Sequence, residues 1–386
     1  MELKITQTQL LLFVCLFVFL TQTLVVLEFV PLLDPLFSGL RLVVFLLLFV
    51  GIYLKRFYIT PIEKGLMLYI AFLGSVTLLF SDTITPLIFQ SINILILLIF
   101  FKFFNIKDIL CYSTLILSGI AYANFLLTLV FPDGHFYVEG KSAYLLGYNY
   151  NSMGATLLVS MVVNAIYTFR YGKLRINLIC LAIVSCITVL FVGSMTSSVG
   201  VILLALYLIV ARMKTARWAL KAFFAGVILF NLGIPFLQME IDNNYLVWFI
   251  EDVLGKDLTF TDRARIWLEA VLMVSDSPWY GYGLRDAAWF EYNFNVLTAH
   301  NFILTMLLKG GLILLLIFIG IVWMSVTRAN QHKTPEINTL QFGCSSLLLM
   351  MSMETYSMVL IFFLVFLNYF SNTLYLDETT DHVCEA

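Results

Sequence analysis

The sequence predicts an all-α polytopic membrane protein of about twelve transmembrane helices, with one large polar loop on the outer side. Of its 386 residues, 61% are hydrophobic and only 12% are charged, and the mean hydropathy is +0.96. A soluble domain contains about 25% charged residues, so this chain holds too few to cover a soluble surface. The net charge of −2 gives no indication of nucleic acid binding.

Apolar runs long enough to span a bilayer, about 20 residues, recur along the chain. They lie at 10–30, 39–54, 64–80, 86–104, 108–131, 150–169, 175–193, 198–211, 217–236, 299–327, 336–353 and 355–376. The run 299–327 is long for one span and is interrupted at Lys309-Gly310-Gly311, which is consistent with an interfacial helix followed by a span. The predicted division is 1–236 (helices one to nine), 237–298 (outer loop), 299–376 (helices ten to twelve) and 377–386 (cytoplasmic tail).

Basic residues concentrate in alternate connections, which predicts the orientation of the spans. Most of the 22 lysines and arginines fall on one side, for example at 170–175 and 212–221. The basic residues of the other side are Arg41, Lys141, Lys256, Arg263, Arg265, Arg285 and Lys309. Both termini are therefore expected in the cytoplasm, and the loop 237–298 is expected outside.

The loop 237–298 combines tryptophan with many charged side chains. Its tryptophans are Trp248, Trp267, Trp279 and Trp289. Aromatic residues among charges are typical of anchoring at a membrane interface. They are equally typical of a sugar-binding groove, in which flat ring faces stack on sugars. Composition alone does not separate the two interpretations.

A helix is predicted from Thr261-Asp262 onward, because both are good N-cap residues and a helical apolar pattern follows to Val274. Arg265 has Glu269 four residues further on, which predicts an ion pair on the helix surface. A purely structural role in that pair is therefore the alternative to substrate binding for Arg265.

Arg263, in the predicted first turn of this helix, has no obvious acidic partner. Its neighbours on the same helix face are Thr259 and Trp267. A cation is also disfavoured at the start of a helix, whereas a bound phosphate is favoured there. The sequence therefore indicates an anion site. The alternative is an arginine that reaches lipid headgroups or pairs with a distant acid.

The segment Thr298-Ala299-His300-Asn301 lies where the chain re-enters the membrane. Thr298 is expected to cap the next helix, which would place His300 at the positive end and favour a neutral imidazole, as a general base requires. The alternative is an interfacial histidine bonded to backbone. His135 is the other histidine on the outer side.

Two short polar turns complete the candidates. The segment from Gly147 to Gly154 holds Asn149 and Asn151, and suggests a tight turn whose amides could reach a ligand, with helix capping by Asn151 as the alternative. The segment 193–198 reads as a small structural turn.

These segments, in this order, resemble the O-antigen polymerase and ligase superfamily of bacterial cell-envelope enzymes. The corresponding residues are Asn151, the 194–198 turn, Arg263 with Trp267, Gly281 and Gly283, and His300-Asn301 with Gly310 and Gly311. The stretch 147–327 carries the resemblance.

Two positions depart from the pattern of that family. Asp262 replaces the glycine of a Thr-Gly-Arg helix start, and Ser197-Ser198 replaces a Ser-Arg turn. One expected phosphate-binding arginine is therefore missing. Lys141, Arg265 and Arg285 are the candidates to supply its charge.

The resemblance implies a GT-C-like helical bundle in the bacterial cytoplasmic membrane. It implies undecaprenyl-diphosphate-linked oligosaccharides as donor and acceptor. Membrane lipids, a flippase and a chain-length regulator are the other candidate partners. His300 would act as the base and Arg263 would stabilise the departing diphosphate. The expected substrate-binding residues are Arg265, Arg285, Lys141, Asn151, Asn301, Trp267 and Tyr282. No metal site and no cofactor are expected.

Within that superfamily we expect a polysaccharide polymerase, because ligation to a lipid A core is confined to some Gram-negative envelopes, and three other functions compete with it. An O-antigen ligase would use the same residues. A transporter or flippase for lipid-linked oligosaccharides would be expected to carry cations inside a central cavity, whereas the basic residues of this sequence fall in predicted loops. A purely structural membrane protein would explain the spans but not Arg263.

Overall fold

The computed structural model describes residues 6–21, 24–29, 33–54, 59–81, 84–138, 141–147, 150–239, 259–296 and 298–375. Within these ranges the chain is almost entirely helical. The helices are α1 (Gln7–Thr21), α2 (Val26–Phe29), α3 (Leu33–Leu54), α4 (Pro61–Phe80), α5 (Thr85–Phe103), α6 (Ile106–Val130), α7 (Met153–Tyr171), α8 (Arg175–Phe191), α9 (Met195–Val210), α10 (Ala216–Met239), α11 (Thr259–Asp276), α12 (Ala287–Phe294), α13 (Phe302–Ala329), α14 (Pro335–Met351) and α15 (Met358–Phe370). Strands β1 (Phe136–Val138) and β2 (Lys141–Ala143) form an antiparallel hairpin, and a 3-10 turn, Ser371–Tyr375, follows α15.

The helices follow the predicted apolar runs. Five of the described helices, namely α4, α5, α6, α7 and α13, are long and apolar enough to cross a membrane, and several shorter apolar helices accompany them. The protein is therefore an all-α, multi-pass membrane protein. The prediction of one continuous first helix over 10–30 is wrong, because α1 ends at Thr21 and a separate short helix, α2, follows.

Helix α7 occupies the centre of the bundle. It packs against α6, α8, α9 and α14, and its side chains from Met153 to Thr168 are all buried. The buried side chains of α7 include the polar residues Ser160, Asn164 and Thr168, which in a membrane favour a position among other helices. The close approach of α7 to α9 depends on Gly154, because a Cβ atom there would lie 2.3 Å from Ser197 Cβ.

The part of the predicted outer loop that the structure describes, 259–296, forms α11 and α12 with the segment between them. We call this part the cap. It has an apolar cluster separate from the main core, in which Ile266, Trp267 and Ala270 of α11 pack with Phe290 and Phe294 of α12. The remainder of the loop, 240–258 with Trp248, lies outside the described residues.

The cap joins α13 at a break in that helix. Gly310 and Gly311 have non-helical backbone angles, as their sequence predicted for a break. The freed carbonyl groups of Leu308 and Lys309 accept hydrogen bonds from the amides of Tyr282 (2.7 Å) and Gly283 (3.0 Å) in the cap. Each backbone group that the break releases near the membrane thus gains a partner, which irregular backbone there requires.

Gly283 and Gly311 are needed for this junction. Both have positive φ, +79° and +61°, a region that side chains with a Cβ atom rarely adopt. A Cβ atom on Gly311 would lie 2.2 Å from the backbone carbon of Trp279, and one on Gly283 would lie 2.8 Å from Thr77 Cα. The two glycines therefore allow cap backbone and helix backbone to touch.

Candidate functional site

The turn 352–357, between α14 and α15, collects polar side chains from four parts of the chain. At its centre is Glu354, which is only 4% exposed. Its Oε1 atom lies 2.8 Å from Nδ1 of His300. A carboxylate accepts only, so Nδ1 carries the proton and donates it to Glu354. Within the described residues nothing bonds to Nε2 of His300, which leaves that nitrogen available as a proton acceptor.

Arg263 approaches the same carboxylate from the cap. Its Nη1 atom donates to the carbonyl oxygen of Met353 (2.7 Å), and its Nη2 atom lies 3.7 Å from Glu354 Oε2. The structure thus shows the alternative given for Arg263, an arginine that pairs with an acid distant in the chain. Arg263 also lies inside α11 rather than in its first turn, because the helix already includes Thr259.

Asn151 completes the ring around Glu354. Its Nδ2 atom lies 3.4 Å from Glu354 Oε2, and its Oδ1 atom accepts a hydrogen bond from Ser194 Oγ (2.8 Å). Ser197 Oγ donates to the backbone carbonyl of Asn151 (2.8 Å). Asn151 does not cap α7, whose N-cap residue is Ser152. Ser194, the N-cap residue of α9, and Ser197 in the first turn of that helix instead hold Asn151 in place, so the predicted turn at 194–198 is the start of a helix.

The backbone around His300 is held on both sides. The indole nitrogen of buried Trp267 donates to the carbonyl of Ala299 (2.9 Å), and Asn301 Nδ2 donates to the carbonyl of Ser352 (3.0 Å). His300 itself has φ +47°, which is uncommon for a residue other than glycine. Such conformations persist only where neighbouring contacts enforce them.

The N-cap residue of α13 differs from the prediction. Asn301, not Thr298, is the N-cap residue, and its side chain accepts the amide of Leu304 (3.0 Å). Thr298 Oγ1 instead accepts the amide of His300 (3.3 Å). His300 therefore lies just before the helix rather than in its first turn.

The charge state of Glu354 follows from its surroundings. Burial alone would raise the pKa of this carboxyl group, but the hydrogen bond and charge of His300, followed by the charge of Arg263, hold it below its ordinary value. Glu354 is thus an anion between two nitrogen donors. Tyr356 lies close by: burial and the charge of Glu354 raise the pKa of its hydroxyl group.

Arg265, Arg285 and Tyr282 make contacts within the protein. Arg265 forms the predicted exposed pair with Glu269 (2.9 Å). Arg285 donates to the carbonyl oxygens of Tyr282 and Phe80 and lies over the ring of Trp289.

Tyr282, Trp267 and Asn301 also make hydrogen bonds within the protein, and these bonds keep the site in place. Tyr282 donates its hydroxyl proton to the carbonyl of Met273 (2.7 Å). Because Trp267 is 4% exposed, its ring offers no open face to a sugar, and we assign to it and Asn301 the positioning of the His300 backbone. Lys141 begins β2, but its side chain lies outside the described part of the structure.

His135, the second outer histidine, uses both ring nitrogens within the protein. Its Nδ1 atom accepts the amide of Leu145 (3.0 Å), and its Nε2 atom lies 3.1 Å from Thr128 Oγ1. Burial lowers the pKa of His135. These contacts hold the β-hairpin against α6 and leave no ring nitrogen free for chemistry.

Lys309 lies inside α13, next to the predicted break, and lines a cavity of about 300 Å³. The general expectation that the basic residues fall in loops is therefore wrong for Lys309. A larger cavity, about 500 Å³, is lined by Thr327, Arg328, Gln331 and Asn372 and contains none of the predicted site residues. Within the described ranges, no group of three His, Cys, Asp or Glu side chains converges as a metal ion would require.

Glu354 is the functional residue that sequence reasoning missed. It was passed over as a single residue between two apolar runs. The signal was present, because an acid between spans eleven and twelve falls on the same predicted side as His300.

Comparison with known proteins supports the resemblance that the motifs suggested. Residues 178–319 match the family Wzy_C, described as O-antigen ligase. This range includes Arg263, His300 and Lys309, whereas Asn151 and Glu354 lie outside it. No curated protein matches the chain. The match supports the O-antigen polymerase and ligase superfamily as the group that this chain resembles, and it suggests an enzyme of the glycosyl-transfer type.

Proposed function

We propose that this protein is a polysaccharide polymerase of the bacterial cytoplasmic membrane. It joins undecaprenyl-diphosphate-linked oligosaccharide repeat units of an O-antigen, capsule or exopolysaccharide. The observation that carries the proposal is the arrangement of His300, Glu354 and Arg263: a histidine oriented by a buried carboxylate, with its second nitrogen open, beside an arginine.

The proposed reaction places each group in a defined role. A hydroxyl group of the acceptor glycan attacks the anomeric carbon of the donor and loses its proton to Nε2 of His300. The bond between that carbon and the diphosphate oxygen breaks, and undecaprenyl diphosphate leaves with the electron pair. Glu354 holds the imidazole in the tautomer that accepts at Nε2 and stabilises the imidazolium that forms. Arg263 stabilises the negative charge that develops on the diphosphate.

Arg263 is shared between Glu354 and the donor in this scheme. Its separation from Glu354 Oε2, 3.7 Å, is longer than a charge-assisted hydrogen bond of about 2.8 Å. The guanidinium group therefore keeps donor capacity for a phosphate. The reaction needs no metal ion and no nucleotide in this form.

We further propose twelve spans, with both termini in the cytoplasm and the cap outside. The spans are α1, α3 to α10 and α13 to α15, which correspond to the predicted apolar runs. The distribution of basic residues between alternate connections supports this orientation. The cytoplasmic tail, 377–386, lies outside the described residues.

An O-antigen ligase is the second candidate, favoured by the description of the matched family. The same base and the same arginine would serve it, with a lipid-linked core oligosaccharide as acceptor. A flippase is the rival of another class. Lys309 in its cavity is a feature that a flippase would also carry, whereas the pairing of His300 with Glu354 beside Arg263 supports an enzyme.

The experiment is to incubate purified protein in lipid nanodiscs with the host's lipid-linked repeat unit and to separate the products on a gel. A ladder of products, each longer by one repeat, is expected from a polymerase. One added unit that appears only when a lipid-linked core is supplied would identify a ligase. Unchanged substrate in both reactions would contradict an enzyme of either kind.

A further inference from the structure

Lys309 is a cation for which the described part of the chain shows no anionic partner. Among the described residues, no hydrogen bond or ion pair reaches its ammonium group, although its backbone carbonyl is bonded to Gly283. An ionisable side chain inside a membrane helix is costly unless it is paired or lines a polar cavity, and such residues commonly mark binding sites. Its position thus requires an explanation beyond packing.

The cavity that Lys309 lines has four other residues with polar side chains in its lining. Gln90 and Asn93 of α5 and Tyr356 and Ser357 of the turn 352–357 supply the other polar side chains of its lining. The cavity volume, about 300 Å³, is roughly ten times the ~30 Å³ that a water molecule occupies in the liquid. A phosphate or diphosphate group therefore fits in it.

Two of these groups can donate to an anion. Asn93 Oδ1 is buried without a hydrogen-bond partner, and an asparagine amide can rotate to present its NH₂ group instead. The Tyr356 hydroxyl group can donate as well. A lysine with two neutral donors around a small cavity is a set of groups that suits a phosphate.

The cavity adjoins the site around Glu354. Tyr356 lines the cavity and is also near enough to Glu354 and Arg263 for their charges to act on its hydroxyl group. The remaining lining is apolar, with Ile94, Leu97 and Met358 among its members. A ligand that joins a phosphate to a hydrocarbon chain would match both parts of this lining.

We propose that Lys309, with Asn93 and Tyr356, binds the phosphate group of a lipid anion in this cavity. Under the function proposed above, on which the choice of lipid rests, that group is the diphosphate of the glycan donor. Lys309 then supplies a second positive charge in addition to that of Arg263.

The test measures lipid binding without any glycan acceptor, so it does not depend on polymerisation. Purified protein in phosphatidylcholine nanodiscs is titrated with undecaprenyl diphosphate and, separately, with phosphatidylglycerol, and bound lipid is counted by native mass spectrometry. Lys309→Met is compared with wild type and with Lys214→Met, which removes an exposed lysine between α9 and α10. Lys309→Gln is a second variant in case the first folds poorly.

Lys309→Met is expected to weaken undecaprenyl diphosphate binding by about tenfold or more, since it removes a charged hydrogen-bond donor. Lys214→Met is expected to bind as wild type does. The apparent melting temperature of Lys309→Met should be equal to or above that of wild type, because an unpaired cation leaves the membrane helix. This pattern would separate a ligand site from a structural lysine.

The two lipids identify the source of the phosphate. Weaker binding of phosphatidylglycerol alone would support the phosphate site and assign it to a membrane phospholipid. Unchanged affinity for both lipids in both Lys309 variants would overturn the proposal. If binding is weakened but wild type forms no polymer, the site stands and the proposed function fails.

Discussion

Two histidines lie at the same end of the helical bundle, and their hydrogen bonds differ in kind. Both ring nitrogens of His135 form hydrogen bonds within the protein, with Thr128 of α6 and with the amide of Leu145. His300 donates from Nδ1 to the buried carboxylate of Glu354, and none of the described residues bonds to its Nε2 atom. A histidine with both nitrogens bonded internally holds the fold, whereas one that is oriented by a carboxylate can accept a proton and keep the resulting charge. The comparison therefore separates a structural histidine from a candidate base where residue type does not.

Replacing each histidine in turn gives the largest expected difference. His300→Ala is expected to lower the rate of chain extension by about 10²- to 10⁴-fold, the usual contribution of a general base. His135→Ala is expected to lower the apparent melting temperature and to keep most activity per folded molecule. The measurement is polymer length and rate in nanodiscs, with protein amounts matched by quantitative blot. Long polymer from His300→Ala would make that histidine an interfacial residue only.

The two arginines of α11 provide the next contrast. Arg263→Ala and Arg263→Lys are each expected to lower the rate by about 10²- to 10³-fold, because a bidentate contact to the diphosphate is lost and lysine does not replace it. Arg265→Ala removes an exposed pair worth about 0.3–0.5 kcal/mol and is expected to keep most activity. Equal and severe losses at both positions would mean that the two arginines bind the diphosphate together. Normal activity in Arg263→Ala would remove the proposed diphosphate contact.

Glu354 can be compared with Glu269, the other acid that pairs with an arginine of α11. Glu354→Gln keeps the shape of the side chain but removes the charge that stabilises the imidazolium, so turnover is expected to fall about 10- to 100-fold. Glu269→Gln changes an exposed pair and is expected to keep near-normal turnover. Initial rates over a range of donor concentrations distinguish the effects. A change confined to the donor concentration needed for half-maximal rate would assign Glu354 to donor binding instead.

The fold was largely predictable because lipid imposes a single, local rule on the sequence. Apolar runs of spanning length give the helices, and Gly310-Gly311 gives the break in α13 without reference to any other part of the chain. What the break does is not local. The amides that satisfy its carbonyl groups come from Tyr282 and Gly283 in the cap, and no pattern within the run specifies them.

The candidate site was predictable only in part, because its members come from distant segments. His300 and Arg263 were found through local motifs, but their common partner, Glu354, belongs to no motif and lies beyond the stretch 147–327 that resembles the family. No acid lies four residues from Arg263 on its own helix, and its partner, Glu354, comes from the turn before α15. The cavity beside Lys309 was not predictable for a similar reason, because it exists only in the packed bundle.

The smallest expected effect concerns acid stability. The pKa of Glu354 is lower in the folded protein than its ordinary value of 4.5. The folded state therefore stabilises the charged form of this side chain relative to the unfolded chain. Its stabilising contribution is therefore complete above pH 4.5 and is lost as the pH falls through the lower, folded-state pKa. At neutral pH, wild type is expected to exceed Glu354→Gln in stability by about 1–3 kcal/mol, the range for a hydrogen bond to a charged group. That difference should shrink below pH 4.5, because the protonated carboxyl group and the glutamine amide are then both neutral.

Apparent melting temperatures of wild type and Glu354→Gln in detergent, measured at one scan rate from pH 7 to pH 3, test this. A difference that stays constant over the whole range would show that Glu354 acts on stability through its shape and not through its charge.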